Sequence, residues 1–376
     1  MKKTLAALAV LGAFAGSAMA ADVTLYGAVD TGFEYIHTKS TGEKGVDTFD
    51  MQTGWDTPSR WGLKGSEDLG NGYKVSFKLE SGFNSDDGTM GQSNRLFGRE
   101  AGLTLSGPFG SVAFGRFGGI SSSAGTYDML GYVESFDGGD GNVWGFASSS
   151  RYDNMVVYQT PRFAGLQLTA QYSFKTDTKE GDTVGADSKP QYNGDEGTSH
   201  AQRYASVGLS GEYGPASFAV GYELTKYGAN TNGARALDKD GQLVFVGGNY
   251  DFEVVQLFAE AQYFKHQTAI NAGDDATAEL GLGKLGLKGY GLHLGAAAPL
   301  AGGTLTAGLY YVDLSEEAVD QADEDAKYYG VSARYNYPLS ERTSLYAGAG
   351  YGQLKDDDSG NKDQLTQVYC GLVHTF

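Results

Sequence analysis

GYKVSFKLESGF, residues 72–83, sorts its side chains onto two faces. Tyr73, Val75, Phe77, Leu79 and Phe83 fall on one parity, while Lys74, Ser76, Lys78 and Glu80 fall on the other. Successive side chains of an extended chain point to opposite sides, so this stretch predicts a strand with one apolar and one polar face. The same alternation runs through 22–36, where Val23, Leu25, Gly27, Val29, Thr31, Phe33 and Tyr35 oppose Asp22, Thr24, Tyr26, Ala28, Asp30, Gly32 and Glu34. It returns in 58–66, 95–106, 111–117, 151–160, 166–176, 202–213, 216–226, 242–252, 254–265, 286–297, 303–313, 327–338, 343–355 and 364–376. The predicted strands number sixteen.

Their connections alternate in length. Short ones, such as 107–110, 161–165, 214–215, 299–302 and 338–342, exchange with long acidic ones near 37–57, 84–94, 117–150, 177–201, 227–241, 266–285, 314–326 and 356–363. This asymmetry predicts an all-β fold, a 16-stranded antiparallel transmembrane β-barrel with short periplasmic turns, long extracellular loops and both termini on the short-turn side. No run beyond the N-terminus approaches spanning-helix length, and the mean hydropathy is −0.34. A closed barrel escapes such a test because only every second residue needs to face lipid. A soluble sandwich would turn its apolar face inward instead.

Residues 1–20, MKKTLAALAVLGAFAGSAMA, combine Lys2 and Lys3 with a short apolar run and a small-x-small end at Ala18-Met19-Ala20. They read as a secretory signal peptide, leaving 21–376 as one barrel domain. Its removal leaves 26 basic residues, 28 minus 2, against 46 acidic ones, a formal charge of −20 that disfavours nucleic acid as a partner. Cys370 is the single cysteine, so no intrachain disulfide forms. The five histidines lack metal-ligand spacing, and no cofactor motif is present.

The interval 117–150, FGGISSSAGTYDMLGYVESFDGGDGNVWGFASSS, breaks the alternation. It is long for an unpatterned segment, yet rich in aromatic and apolar residues that pack. At the other end, Val368, Cys370, Leu372, His374 and Phe376 share one parity, so the last strand stops on an aromatic at the interface. Taken with VTLYGAVDTGFEY (23–35), SRWGLKGSEDLGNG (59–72), GREAGLTLSGPFGSVAFGR (98–116), RYDNMVVYQTPRFAGL (151–166) and GLVHTF (371–376), the chain resembles the Gram-negative general porins over its mature length.

That resemblance implies a homotrimer in the cell outer membrane. Its partners are lipid and lipopolysaccharide, the barrel-assembly machinery, which reads Leu372, His374 and Phe376, and small hydrophilic solutes and ions. It also implies that the third long loop, about 117–150, folds inward and sets its acids against a basic wall. Tyr127-Asp128-Met129-Leu130 matches the family's loop motif and makes Asp128 a constriction acid. Glu134 follows in a segment longer by two residues and lacking the usual proline, with Asp137 and Asp140 as further acids. For the wall, Arg60 in SRWGLKG matches a family arginine and has lumen parity, which Lys78 and Lys64 share by pattern. Arg99 also matches, but strict alternation gives it the lipid parity of Ala101, Leu103 and Leu105, so either the strand has a bulge there or it starts after Arg99, the bulge being favoured. Arg116 and Arg151 flank the loop as further candidates.

A passive channel needs no nucleophile, metal or acid–base pair, and none is legible. The expectation is therefore a water-filled outer-membrane channel, not an enzyme. The loop acids and the −20 charge suggest weak cation preference. A substrate-specific uptake channel or a loop-mediated adhesin is the alternative. Tyr26, Tyr204, Tyr310, Tyr328 and Tyr346 have inward parity but are too dispersed for a continuous aromatic track.

Overall fold

Nearly every alternating segment is a strand. The computed structural model describes residues 23–137, 140–179, 194–229, 239–270, 286–316 and 324–376, with positions 183, 184, 190, 191, 235 and 237. The predicted leader, 1–20, lies outside the described residues. In chain order the strands are β1 (Thr24–Ser40), β2 (Val46–Thr53), β3 (Arg60–Gly70), β4 (Tyr73–Gly82), β5 (Glu100–Gly107), β6 (Gly110–Gly118), β7 (Arg151–Gln159) and β8 (Leu166–Ser173). A two-residue pair, β9 (Thr183–Val184) and β10 (Pro190–Gln191), forms its own small sheet. Then come β11 (Arg203–Tyr213), β12 (Ala216–Lys226), β13 (Gly241–Asp251), β14 (Gln256–Gln267), β15 (Leu287–Leu300), β16 (Gly303–Glu316), β17 (Glu324–Ser340), β18 (Thr343–Asp356) and β19 (Lys362–Thr375).

Neighbours in sequence pair antiparallel, β8 pairs with β11, and β1 pairs with β3 on one edge and β19 on the other. The ring is thus closed by sixteen strands, β2, β9 and β10 standing outside it. Closure removes every free edge, the condition for a sheet to stand in hydrocarbon. The C-terminus seals it, because Gly27 N donates to Phe376 O and Phe376 N to Gly27 O, both at 3.0 Å. Leu372, His374 and Phe376 share the exposed outer face, as their parity required.

Which face meets lipid is decided by exposure. Leu25, Val29, Phe33, Leu103, Leu105, Val220, Leu292, Leu309, Val331 and Val368 are exposed, whereas Asp30, Glu80, Glu100, Glu223 and Glu260 on the opposite parity are buried. The apolar face points outward and the polar face into the lumen.

Two departures from the alternation pattern concern the lumen. The polar interval after β1 contains a real strand, β2, which pairs with the upper half of β1 where β3 no longer reaches it. The returning chain satisfies backbone groups that β1 would otherwise leave open. Residues 41–59, β2 included, are called loop L1. The second departure is Arg99. No bulge intervenes, since β4 and β5 pair without a register shift from Glu80↔Glu100 onward. The strand starts only at Glu100, after Arg99 and five residues later than the predicted 95, Arg99 N donates to Glu80 O at 3.1 Å, and its side chain is buried. Freed from the pleat, Arg99 avoids the lipid face.

Candidate pore constriction

Residues 119–150, loop L3, connect β6 to β7 and lie inside the barrel. Gly119 N donates to Ser150 O (2.9 Å), bringing entry and exit side by side. Glu223 of β12 gathers that base: its Oε1 accepts from Ser121 N (3.0 Å), Ser149 Oγ (3.0 Å) and Tyr204 OH (2.8 Å). Beyond the base, Ile120, Met129, Leu130, Val133, Trp144 and Phe146 pack against Phe245, Phe264, Tyr310, Val312, Leu314 and Tyr328. This apolar seam is the physical reason the loop stays down; burying such side chains is worth about 1.5–3 kcal/mol each.

Polar contacts fix the loop's height. Gln262 Nε2 donates to Ala147 O (3.4 Å) while its Oε1 accepts from Ala147 N (3.0 Å). Tyr328 OH donates to Val143 O (2.7 Å), Asn249 Nδ2 to Tyr132 O (3.0 Å) and Gln367 Nε2 to Asp140 O (3.2 Å). Loop L3 is therefore seated on the wall from β11 to β19, and openings remain beside β3 and β4, lined by Arg60, Lys78, Glu80 and Arg99.

The four candidate acids separate. Asp137 is exposed at the tip with φ +47° and lines both openings that flank it. Asp128 is half-buried and accepts from Ser123 N (2.9 Å) and Leu130 N (3.2 Å). Burial, with the Asp137 carboxylate next in weight, pushes its pKa well above the usual carboxylate range. Glu134 does not edge the passage. It is buried, its Oε1 accepts from Trp144 Nε1 (2.8 Å), and burial followed by the neighbouring Glu260 carboxyl raises its pKa strongly. Asp140 is likewise turned to the wall, where Tyr369 OH donates to it (2.5 Å) and Arg334 lies 3.6 Å away; burial raises its pKa despite that cation. Both placements have one cause. The apolar seam draws in the segment from Leu130 to Phe146, and carboxyls on its inner side go with it.

The basic wall is organised by a residue that the strand pattern placed on the lumen face without a role. Glu80 accepts from Arg99 Nε (2.7 Å) and Tyr26 OH (2.8 Å), with Lys78 Nζ at 3.6 Å and Arg60 Nε at 3.9 Å. Glu100, also buried, binds Lys78 and accepts from Thr126 N of the loop (2.9 Å). Arg60 and Lys78 remain partly open to the lumen, and Arg99 lines the same opening. Arg116 does not join them, being tied to Asp153 (2.6 Å) and Gly98 O (2.8 Å). Arg151 opens β7 opposite Gly118, has Arg99, Arg116, Glu80 and Glu100 as its charged surroundings, and has no ion pair among the described residues. Arg334 of β17 is the member that the sequence left unranked. It lines the second opening and bonds to loop L1 through Trp55 O (2.9 Å). Below the tip, Lys64, Lys74 and Lys78 line a further pocket with Thr126 and Tyr127, and no acid lines it among the described residues.

The family model for Gram-negative porins matches residues 6–358. Over the full length of both chains the sequence is 34% identical to an outer membrane porin protein of Bordetella pertussis. It is 32% identical to outer membrane porin protein 32 of Delftia acidovorans, covering 99% of this chain and 95% of that protein. A solved structure, the anion-selective porin from Comamonas acidovorans, superposes with a TM-score of 0.68 at 26% identity, covering 95% of this chain and 100% of that one.

Proposed function

The chain belongs to the Gram-negative porin family, non-enzymatic channels of the outer membrane, and from that premise we propose that it passes small hydrophilic solutes and ions by passive diffusion with a weak preference for anions. The observation that carries the preference is which charges face water. Arg60, Lys78, Lys64 and Lys74 reach the lumen, while Glu134 and Asp140 are folded against the wall. The cation preference suggested by the sequence rested on the loop acids together and on the total charge, and two of those four acids, Glu134 and Asp140, are turned into the wall. Carboxyls turned into the wall and paired there act weakly on the lumen, and loop charges more than a Debye length of about 8–10 Å away are screened. A structural relative being an anion-selective porin agrees with this reading. Reversal potentials in planar bilayers under a potassium chloride gradient test it: the sign should report chloride over potassium, and the opposite sign overturns the preference.

General diffusion is favoured over specific uptake because Tyr204, Tyr310, Tyr328 and Tyr346 are buried and so cannot form a track for sugars. The same reading takes residues 1–20 as an export leader and the Phe376 end as the signal for barrel assembly. It places the barrel among lipid and lipopolysaccharide as a homotrimer of separate pores.

A further inference from the structure

We propose that loop L1 is a second jaw of the eyelet, narrowing the passage across from loop L3, and that Asp30 is the positioning residue that holds it there. This deepens the channel reading and rests on it.

β2 returns alongside β1 as far as Thr53, and β3 begins at Arg60. The intervening chain does not follow the wall. Gly54 adopts φ +79°, a left-handed turn, and Trp55 then stacks on Tyr369, with ring centroids 5.2 Å apart and planes 14° from parallel. Tyr369, Arg334, Asn336 and Tyr346 all have lumen parity, so a segment touching them lies inside the barrel. Asn336 Nδ2 donates to Asp56 Oδ1 (2.6 Å), which lies 3.3 Å from Arg334 Nε.

Asp30 of β1 has no exposed surface, yet its carboxylate has three donors: Asp56 N (2.9 Å), Thr57 N (2.8 Å) and Tyr346 OH (2.7 Å). Its own backbone is held as well, with N donating to Ser59 Oγ (2.9 Å) and O accepting from Ser85 Oγ (2.6 Å). Charge-assisted bonds of this kind are about twice as strong as neutral ones, and a buried acceptor deprived of its donors is costly. A loop needed only to complete the edge of β1 would end at Thr53. Instead four strands, β1, β17, β18 and β19, grip the next few residues.

Two openings flank the tip of L3, and both are lined by Asp56 and Pro58 of L1 together with Ser123, Phe136 and Asp137 of L3. Arg334 touches both jaws, meeting L1 at Trp55 O and L3 at the Phe136 ring, 5.0 Å from its centroid. Exclusion size is thus set by the gap between two inward loops.

The test uses the full-length protein in bilayers and liposomes, with heat-dependent gel mobility as the control for folding. Asp30→Asn removes the charge, so the bonds from Asp56 N, Thr57 N and Tyr346 OH lose their charge assistance. The double variant Trp55→Gly, Asp56→Gly loosens the jaw without touching a barrel strand and decides the matter where Asp30→Asn does not fold. Each folded variant should raise single-channel conductance roughly 1.5- to 2-fold, and raise raffinose entry relative to arabinose about 3-fold, as expected when a constriction widens. Folded variants with unchanged conductance and an unchanged sugar ratio overturn the proposal. Wild-type protein that forms no channel overturns the porin reading itself, a distinct outcome.

Discussion

The carboxyl of Glu134, in loop L3, meets the carboxyl of Glu260, on β14, inside the buried seam between loop and wall. Two carboxylates cannot both stay ionised so close together, so a proton is part of the joint. The sign follows from linkage. With the folded pKa of Glu134 raised, the folded state holds more protons than the unfolded one between the ordinary glutamate range and the raised value. The stability of the seat is complete below that window and falls as pH rises through it. Open-channel noise of the wild type should therefore grow as pH rises above the ordinary glutamate range, and grow less in Glu134→Gln, whose amide donates without a titrating proton. Parallel pH dependence in the two proteins would count against the joint.

Gly145 sits at φ +74° on the loop's inner side, where an added Cβ would run into the Tyr328 ring. Tyr328 cannot yield easily, because its hydroxyl is already engaged by Val143 O. Gly145→Ala should therefore lift this part of L3 at a cost of about 1–3 kcal/mol from left-handed strain. Limited proteolysis should detect it as new cleavage within 119–150 in a barrel that keeps its heat-dependent gel shift.

Glu80 is the shared counter-charge of Arg60, Lys78 and Arg99, and it is almost fully buried. Glu80→Gln leaves Arg99 and Arg60 without this counter-charge, while Lys78 keeps Glu100, and should cost about 3–5 kcal/mol, the range for removing one partner of a buried pair. Urea unfolding of the detergent-solubilised barrel measures the loss. Arg116→Gln, which breaks a pair with Asp153 away from the eyelet, should leave ion preference unchanged.

The barrel was legible because its signal is local: alternation in 72–83 or 303–313 says which side of a strand meets lipid, without knowledge of any partner. What escaped was decided by partners far along the chain. β2 carries Asp47, Thr48 and Asp50 and reads as polar loop until the unpaired upper edge of β1 is known. Glu134 and Asp137 stand three residues apart, and only the Trp144 and Glu260 contacts turn one to the wall and leave the other in water. Trp55 and Asp56 gain their place from Arg334 and Asn336, some 280 residues later. For Arg99 the motif match pointed to the right side of the wall, and strict parity misled because the strand begins at Glu100.

Ion preference should respond to the charges that water reaches and ignore those it does not. A unit charge about 6 Å from a passing ion acts with roughly 0.7 kcal/mol in water, enough for about a threefold change in permeability ratio. Arg60→Gln and Lys78→Gln should each reduce the chloride-to-potassium ratio by about that factor, and Asp137→Asn should raise it similarly. Glu134→Gln should leave the ratio where it was, because its carboxyl is buried between loop and wall, away from the water-filled path. Reversal potentials for the four variants under one salt gradient separate the two classes. A shift for Glu134→Gln as large as that for Asp137→Asn would mean that the carboxyl behind the loop is ionised and acting on the pore, contrary to the burial that seats it.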